Sequence, residues 1–98
     1  SYLAELAGNH IGFRITNRIL STEDRDSPDD NLLYSLTSPP KWGYVINRAI
    51  GNRSITNWTQ GDINRQQIEY ILRPGVNATM DSFFFTISDK GGNVLANQ

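Results

Sequence analysis

Cysteine is absent from the 98 residues. That removes disulfides, thiolate zinc sites and thiol nucleophiles together. It does not assign the chain to a reducing compartment, because an extracellular domain with a sufficient core holds without disulfides. Histidine occurs once, as His10, and the sequence places no serine or acid beside it, so a Ser-His-Asp arrangement has no support. Charge of one sign is not in excess either: nine Lys and Arg against ten Asp and Glu give a formal net charge of -1. The arginines are scattered along the chain, which leaves no electrostatic case for nucleic acid or an anionic membrane. No apolar run approaches the roughly 18 residues of a spanning helix, and no signal peptide precedes SYLAEL. The expectation is a single module over residues 1–98, a fragment of a larger protein that does not itself insert into a membrane.

Helical periodicity is equally scarce. No segment sustains apolar positions at i, i+3, i+4 and i+7 beyond two turns. What the chain has instead is alternation. Ile11, Phe13 and Ile15 alternate with Gly12, Arg14 and Thr16. Leu32, Tyr34 and Leu36 alternate until Pro39-Pro40, and a proline pair ends a strand because it donates no ladder hydrogen bond. Trp42 to Ile46 reads as the next strand, SITNW and IEYIL as two more. SFFFTIS is the clearest, with Phe83, Phe85 and Ile87 on one face and Phe84, Thr86 and Ser88 on the other. Lys90-Gly91-Gly92-Asn93 reads as a hairpin connection, after which Val94-Leu95-Ala96 opens a last strand. Short strands at this spacing predict an all-β sandwich.

Between SITNW and IEYIL the period breaks. Thr59-Gln60-Gly61-Asp62 has the form of a capping box, with Thr59 at the N-cap and Asp62 at N3. It predicts one short helical turn near residues 60–65, with Trp58 as the staple residue before the cap and Ile63 turned to the core. Asp62 is accounted for by the cap rather than by catalysis. Trp58, Tyr70, Phe83 and Phe85 are expected to pack inside. Strand, capped turn and strand together make a crossing between two layers.

The joint pattern resembles the chondroitin sulfate proteoglycan-type repeat, a cadherin-like module of the Fraser-syndrome-related extracellular matrix proteins. It is carried by Leu20 before Asp24-Arg25-Asp26, by Leu32, Tyr34 and Leu36 before Pro39-Pro40-Lys41, and by Gly43 and Val45. It continues through Trp58-Thr59-Gln60, Asp62-Ile63, Ile68 and Tyr70 to Asp81, Phe83, Phe85, Ile87 and Asp89, with Gly91 following. Two positions depart from it: Leu72 stands where a histidine is common, and Lys90 where glycine is usual. The resemblance implies a cadherin-like Greek-key sandwich of about seven strands. It also implies an extracellular, non-catalytic module in a tandem array. Its partners would be neighbouring repeats of the same chain and extracellular matrix or cell-surface proteins.

Three features are weighed beyond the fold. Asn52, Asn57 and Asn77 each head an Asn-x-Ser/Thr sequon in or beside a predicted turn. Glu23, Asp24, Asp26, Asp29 and Asp30 crowd one loop. Calcium takes 6–8 oxygen ligands from such loops, and Asp24 and Asp26, with Asp89, stand where a cadherin-type site would draw them. The alternative is a solvated loop of Asx turns with no cofactor at all. Trp42 follows Lys41 in a turn, where an exposed ring would contact a partner or a sugar, or else lie as a lid over the sandwich edge. Two other function classes therefore stand beside the spacer: a calcium-dependent adhesion domain and a glycan-binding domain.

Overall fold

Alternate side chains of two antiparallel sheets meet in one core. The computed structural model describes residues 2–7, 13–15, 28–89 and 91–94. The elements are β1 (Tyr2–Ala7), β2 (Phe13–Arg14), a 3₁₀ turn (Asp29–Asn31), β3 (Leu33–Ser38), β4 (Gly43–Asn47), β5 (Asn57–Thr59), α1 (Gln60–Asn64), β6 (Ile68–Leu72) and β7 (Met80–Ser88). One sheet has the order β1-β7-β3-β5 and the other β2-β6-β4. Odd strands thus lie in one layer and even strands in the other, so successive described strands alternate between sheets. This is the sandwich that the alternation predicts, with the helical turn where the capping box puts it.

The registers show why the patterned residues face inward. Tyr34 of β3 lies opposite Trp58 of β5 on one side and Ile87 of β7 on the other. Trp58 and Tyr34 stack with centroids 6.1 Å apart, Trp58 meets Phe83 edge-on at 5.9 Å, and Phe85 packs on Tyr34 at 5.3 Å. Each such pair adds about 0.5–1.5 kcal/mol beyond the area it buries. Val45, Ile68, Tyr70 and Leu72 close the core from the second sheet, and Ile15 and Ile63 are buried with them.

β1 is an element that the alternation reading did not anticipate. It pairs antiparallel with β7 along its whole length, from Tyr2 opposite Phe85 to Ala7 opposite Met80. Ala4 and Leu6 face the core. Val94 bridges Ser88, and Ser88 already faces Leu33 of β3, so Val94 lies on the same edge of β7 as β1. Ile11, Gly12 and the expected continuation at Leu95 and Ala96 lie outside the described residues.

Candidate functional site

Two clusters gather the polar residues of the sequence pattern, and both bind elements to one another. The first surrounds α1. The Thr59 hydroxyl accepts from the Asp62 amide at 3.0 Å, and the Asp62 carboxylate accepts from the Thr59 amide at 3.0 Å, so the expected capping box is complete. Two otherwise unpaired donors of the first turn are satisfied this way. At the other end, the amides of Gln66 and Gln67 donate to the carbonyls of Ile63 and Asp62. With Gln66 at φ 62 this is a left-handed helix stop. Trp58 and Ile63, flanking the cap, are both in the core as expected.

Gln60 anchors the turn. It is buried, its amide donates to the Leu32 carbonyl at 2.9 Å, its side-chain oxygen accepts from the Tyr34 hydroxyl, and its side-chain nitrogen donates to Asn64 at 3.1 Å. Outside it, Arg65 forms ion pairs with Asp30 at 2.8 Å and Asp62 at 2.9 Å, and Asn64 donates to Asp29 at 2.8 Å. Asp29 and Asp30, the two described acids of the loop, are thereby engaged with the C-terminal end of α1.

The second cluster is a latch across the sandwich. Asp81 sits at the start of β7, at an inward position on the rim. One oxygen of its carboxylate accepts from the Lys41 and Ser82 amides at 2.9 and 2.8 Å. The other accepts from the Trp42 amide at 2.9 Å and the Tyr70 hydroxyl at 2.6 Å. Partial burial pushes the Asp81 carboxyl up, but the Tyr70 hydroxyl and the three amides outweigh it and hold it below the usual aspartate range. Burial raises the Tyr70 hydroxyl well above its ordinary value, and the hydrogen bond to Asp81 raises it further. Gly43 makes room for this. A Cβ there would stand 2.2 Å from the Ile71 carbonyl oxygen and 2.6 Å from the Tyr70 ring. Gly43, Tyr70 and Asp81, far apart in sequence, are thus one structural device joining β4, β6 and β7.

Trp42 is 38% exposed against 2% for Trp58, as the sequence suggests. The Lys41 ammonium lies 4.6 Å from the centre of its ring. The ring borders an open hollow shared with Glu5, Lys41, Met80, Asp81 and Ser82.

Asn52, Asn57 and Asn77 are all exposed. Asp89 accepts from the Asn93 amide at 2.9 Å and its side-chain nitrogen at 3.1 Å, which holds the hairpin turn. These bonds keep its carboxyl below the ordinary range. Asp24 and Asp26 lie outside the described residues, so the calcium expectation meets the structure only at Asp89. Among the described residues no group of three or more His, Asp or Glu side chains is gathered to hold a metal. Nor is any described helix long and apolar enough to cross a membrane.

A cadherin-like family pattern matches residues 10–96, which hold every described strand except β1. This chain belongs to the cadherin-like family. The cadherin-like sequence is 53% identical over 93 residues to extracellular matrix protein 3 of Lytechinus variegatus, covering 95% of this chain and 3% of that protein. It is 49% identical over 98 residues to human FRAS1-related extracellular matrix protein 2, covering 100% of this chain and again 3% of the relative. Human FRAS1-related extracellular matrix protein 1 is 33% identical over 93 residues. The chain therefore spans a small fraction of the curated relatives it matches. No solved structure matches it. The resemblance read from the motifs holds, and this cadherin-like domain is a module of extracellular matrix type.

Proposed function

We propose that the chain is a non-catalytic module that works as a structural spacer and protein-interaction unit within a tandem array. The observation that carries the reading is how the signature polar residues are used. Thr59, Gln60 and Asp62 fix the crossing turn, and Asp81 spends all its acceptor capacity on the latch with Tyr70. A pattern devoted to holding two sheets together suits a part whose task is to keep its shape. Coverage of 3% of relatives similar over the full chain fits one unit among many. The interaction half of the reading rests on the exposed Trp42 beside Lys41 and its hollow.

The sequence of the parent protein on either side of the chain tests the array. A further copy of the Gly43, Trp58–Ile63, Tyr70 and Asp81 spacing is expected on at least one flank, and flanks without it overturn the reading. A calcium-dependent adhesion domain would draw on Asp24 and Asp26. Melting curves with calcium and with chelator separate it from the spacer, for which the expected result is an unchanged Tm. A glycan-binding domain would use Trp42; a glycan-array screen on which Trp42→Ala behaves as wild type removes it.

A further inference from the structure

We propose that Asn57 carries an N-linked glycan whose first sugars lie across the outer face of the four-stranded sheet onto Leu3 and Phe84. Three sequons are present, but the registers set this one apart. Trp58 points into the core, so its neighbours on β5, Asn57 and Thr59, point to the outer face. Asn57 lies opposite Ser35 of β3, and Ser35 lies opposite Thr86 of β7. These three positions form one row of short polar side chains, with no long or charged side chain standing in it.

Two positions along β7 from Thr86 is Phe84, which lies opposite Leu3 of β1. Phe84 is 44% exposed and Leu3 49%. An apolar pair spanning β1 and β7 on a solvent-facing sheet surface calls for a cover. From the strand spacing and rise, Phe84 lies about 12 Å from Asn57 across the sheet, within reach of the second and third rings of a glycan. The C–H face of a pyranose packs on an aromatic ring, and the Ser35–Thr86 row leaves the path to it flat.

The attachment chemistry is compatible with the fold. The Asn57 side-chain nitrogen forms a bond to the anomeric carbon of a lipid-diphosphate-linked oligosaccharide. The bond from that carbon to the diphosphate oxygen breaks, the lipid diphosphate leaves with the electron pair, and one amide proton goes to solvent. The Thr59 hydroxyl, which the sequon requires, is engaged by Asp62 only once the capping box has formed. In the unfolded chain it is free for the transferase.

The chain secreted from cultured animal cells tests both parts. Peptide mass spectrometry after enzymatic release of glycans in heavy-oxygen water reads occupancy at each sequon, and Asn57 is expected to be labelled. Binding of a dye that fluoresces on apolar surface reads the cover. Asn57→Gln is expected to raise dye binding at least twofold, Asn52→Gln and Asn77→Gln to leave it unchanged, and Phe84→Ser to abolish the rise in the Asn57→Gln background. An unlabelled Asn57 overturns the proposal, as does a labelled one whose removal leaves dye binding unaltered.

Discussion

Asp81 shows how one side chain serves several elements at once. It holds the turn after Pro39-Pro40 through two amides, and the second sheet through Tyr70. Because its carboxyl titrates below the unfolded value, the unfolded chain takes up the proton first as pH falls. The latch therefore contributes fully above about pH 4, the ordinary aspartate value, and loses its contribution as pH drops through the folded value. Asp81→Asn should lower stability at pH 7 by about 1–3 kcal/mol, the cost of unpaired or poorly paired donors, and should lose less on acidification. Urea melts of both proteins at pH 7 and pH 3 check this, and parallel losses would contradict it. Gly43→Ala attacks the same latch from the other side. A methyl 2.2 Å from the Ile71 carbonyl oxygen meets backbone that cannot swing away. The expected loss is about 1–3 kcal/mol or more, with the Tyr70 ring displaced in an NMR spectrum. Asp81 belongs to the quoted family pattern, yet its role was not legible there. Its partners Lys41, Trp42 and Tyr70 are 40, 39 and 11 residues away, and only the fold brings them to one carboxylate.

Among elements, α1 is the one most dependent on its ends. Five residues are far too few for a helix to persist through its own hydrogen bonds. Thr59→Ala should therefore cost about 1 kcal/mol, within the usual range for a lost N-cap, while Thr59→Ser should keep the capping box and nearly all the stability. Thermal melts of the two variants compare them directly, and equal Tm values would show the box to be idle. β7 supplies a second contrast between adjacent residues. Phe83→Ala should cost about 3–5 kcal/mol as a buried aromatic deletion, whereas Phe84→Ala should change stability by less than about 1 kcal/mol, because its ring lies on the outer face of the sheet and not in the core. The elements easiest to read in the sequence were those whose signals are local. IEYIL and SFFFTIS alternate strictly, and the capping box announces α1 within four residues. β1 was not legible for a physical reason: YLAELA is made of good helix formers, and its outward Leu3 masks the inward series of Tyr2, Ala4 and Leu6. SITNW reads as a strand with Trp58 inward, but only Asn57–Thr59 form β5, opposite Leu33, Tyr34 and Ser35, a pairing between segments that no window of sequence displays.

For the molecule as a whole, the alternation of successive strands between the two sheets determines how it should come apart. With odd strands in one layer and even strands in the other, removing any central strand uncovers core residues in both. The single core cluster takes Tyr34, Trp58, Phe83 and Phe85 from the four-stranded sheet and Val45, Ile68, Tyr70 and Leu72 from the three-stranded one, with no internal boundary at which half the domain could survive. Under mechanical load the module is therefore expected to yield in a single event, resisting extension until its core fails. The 98 residues extend to roughly 340 Å, and in the fold Tyr2 and Val94 lie on one edge of β7, opposite Phe85 and Ser88, so each event should release nearly all of that length, well over about 300 Å of chain. Pulling a string of copies between marker domains in a force microscope reads that length directly. A ladder of shorter releases would mean that the sheets part separately and that the single-core account is wrong. Repeating the measurement with Asp81→Asn then ties the two scales together: the released length should stay the same while the force needed falls, because the latch resists separation of the sheets without changing how much chain lies behind it.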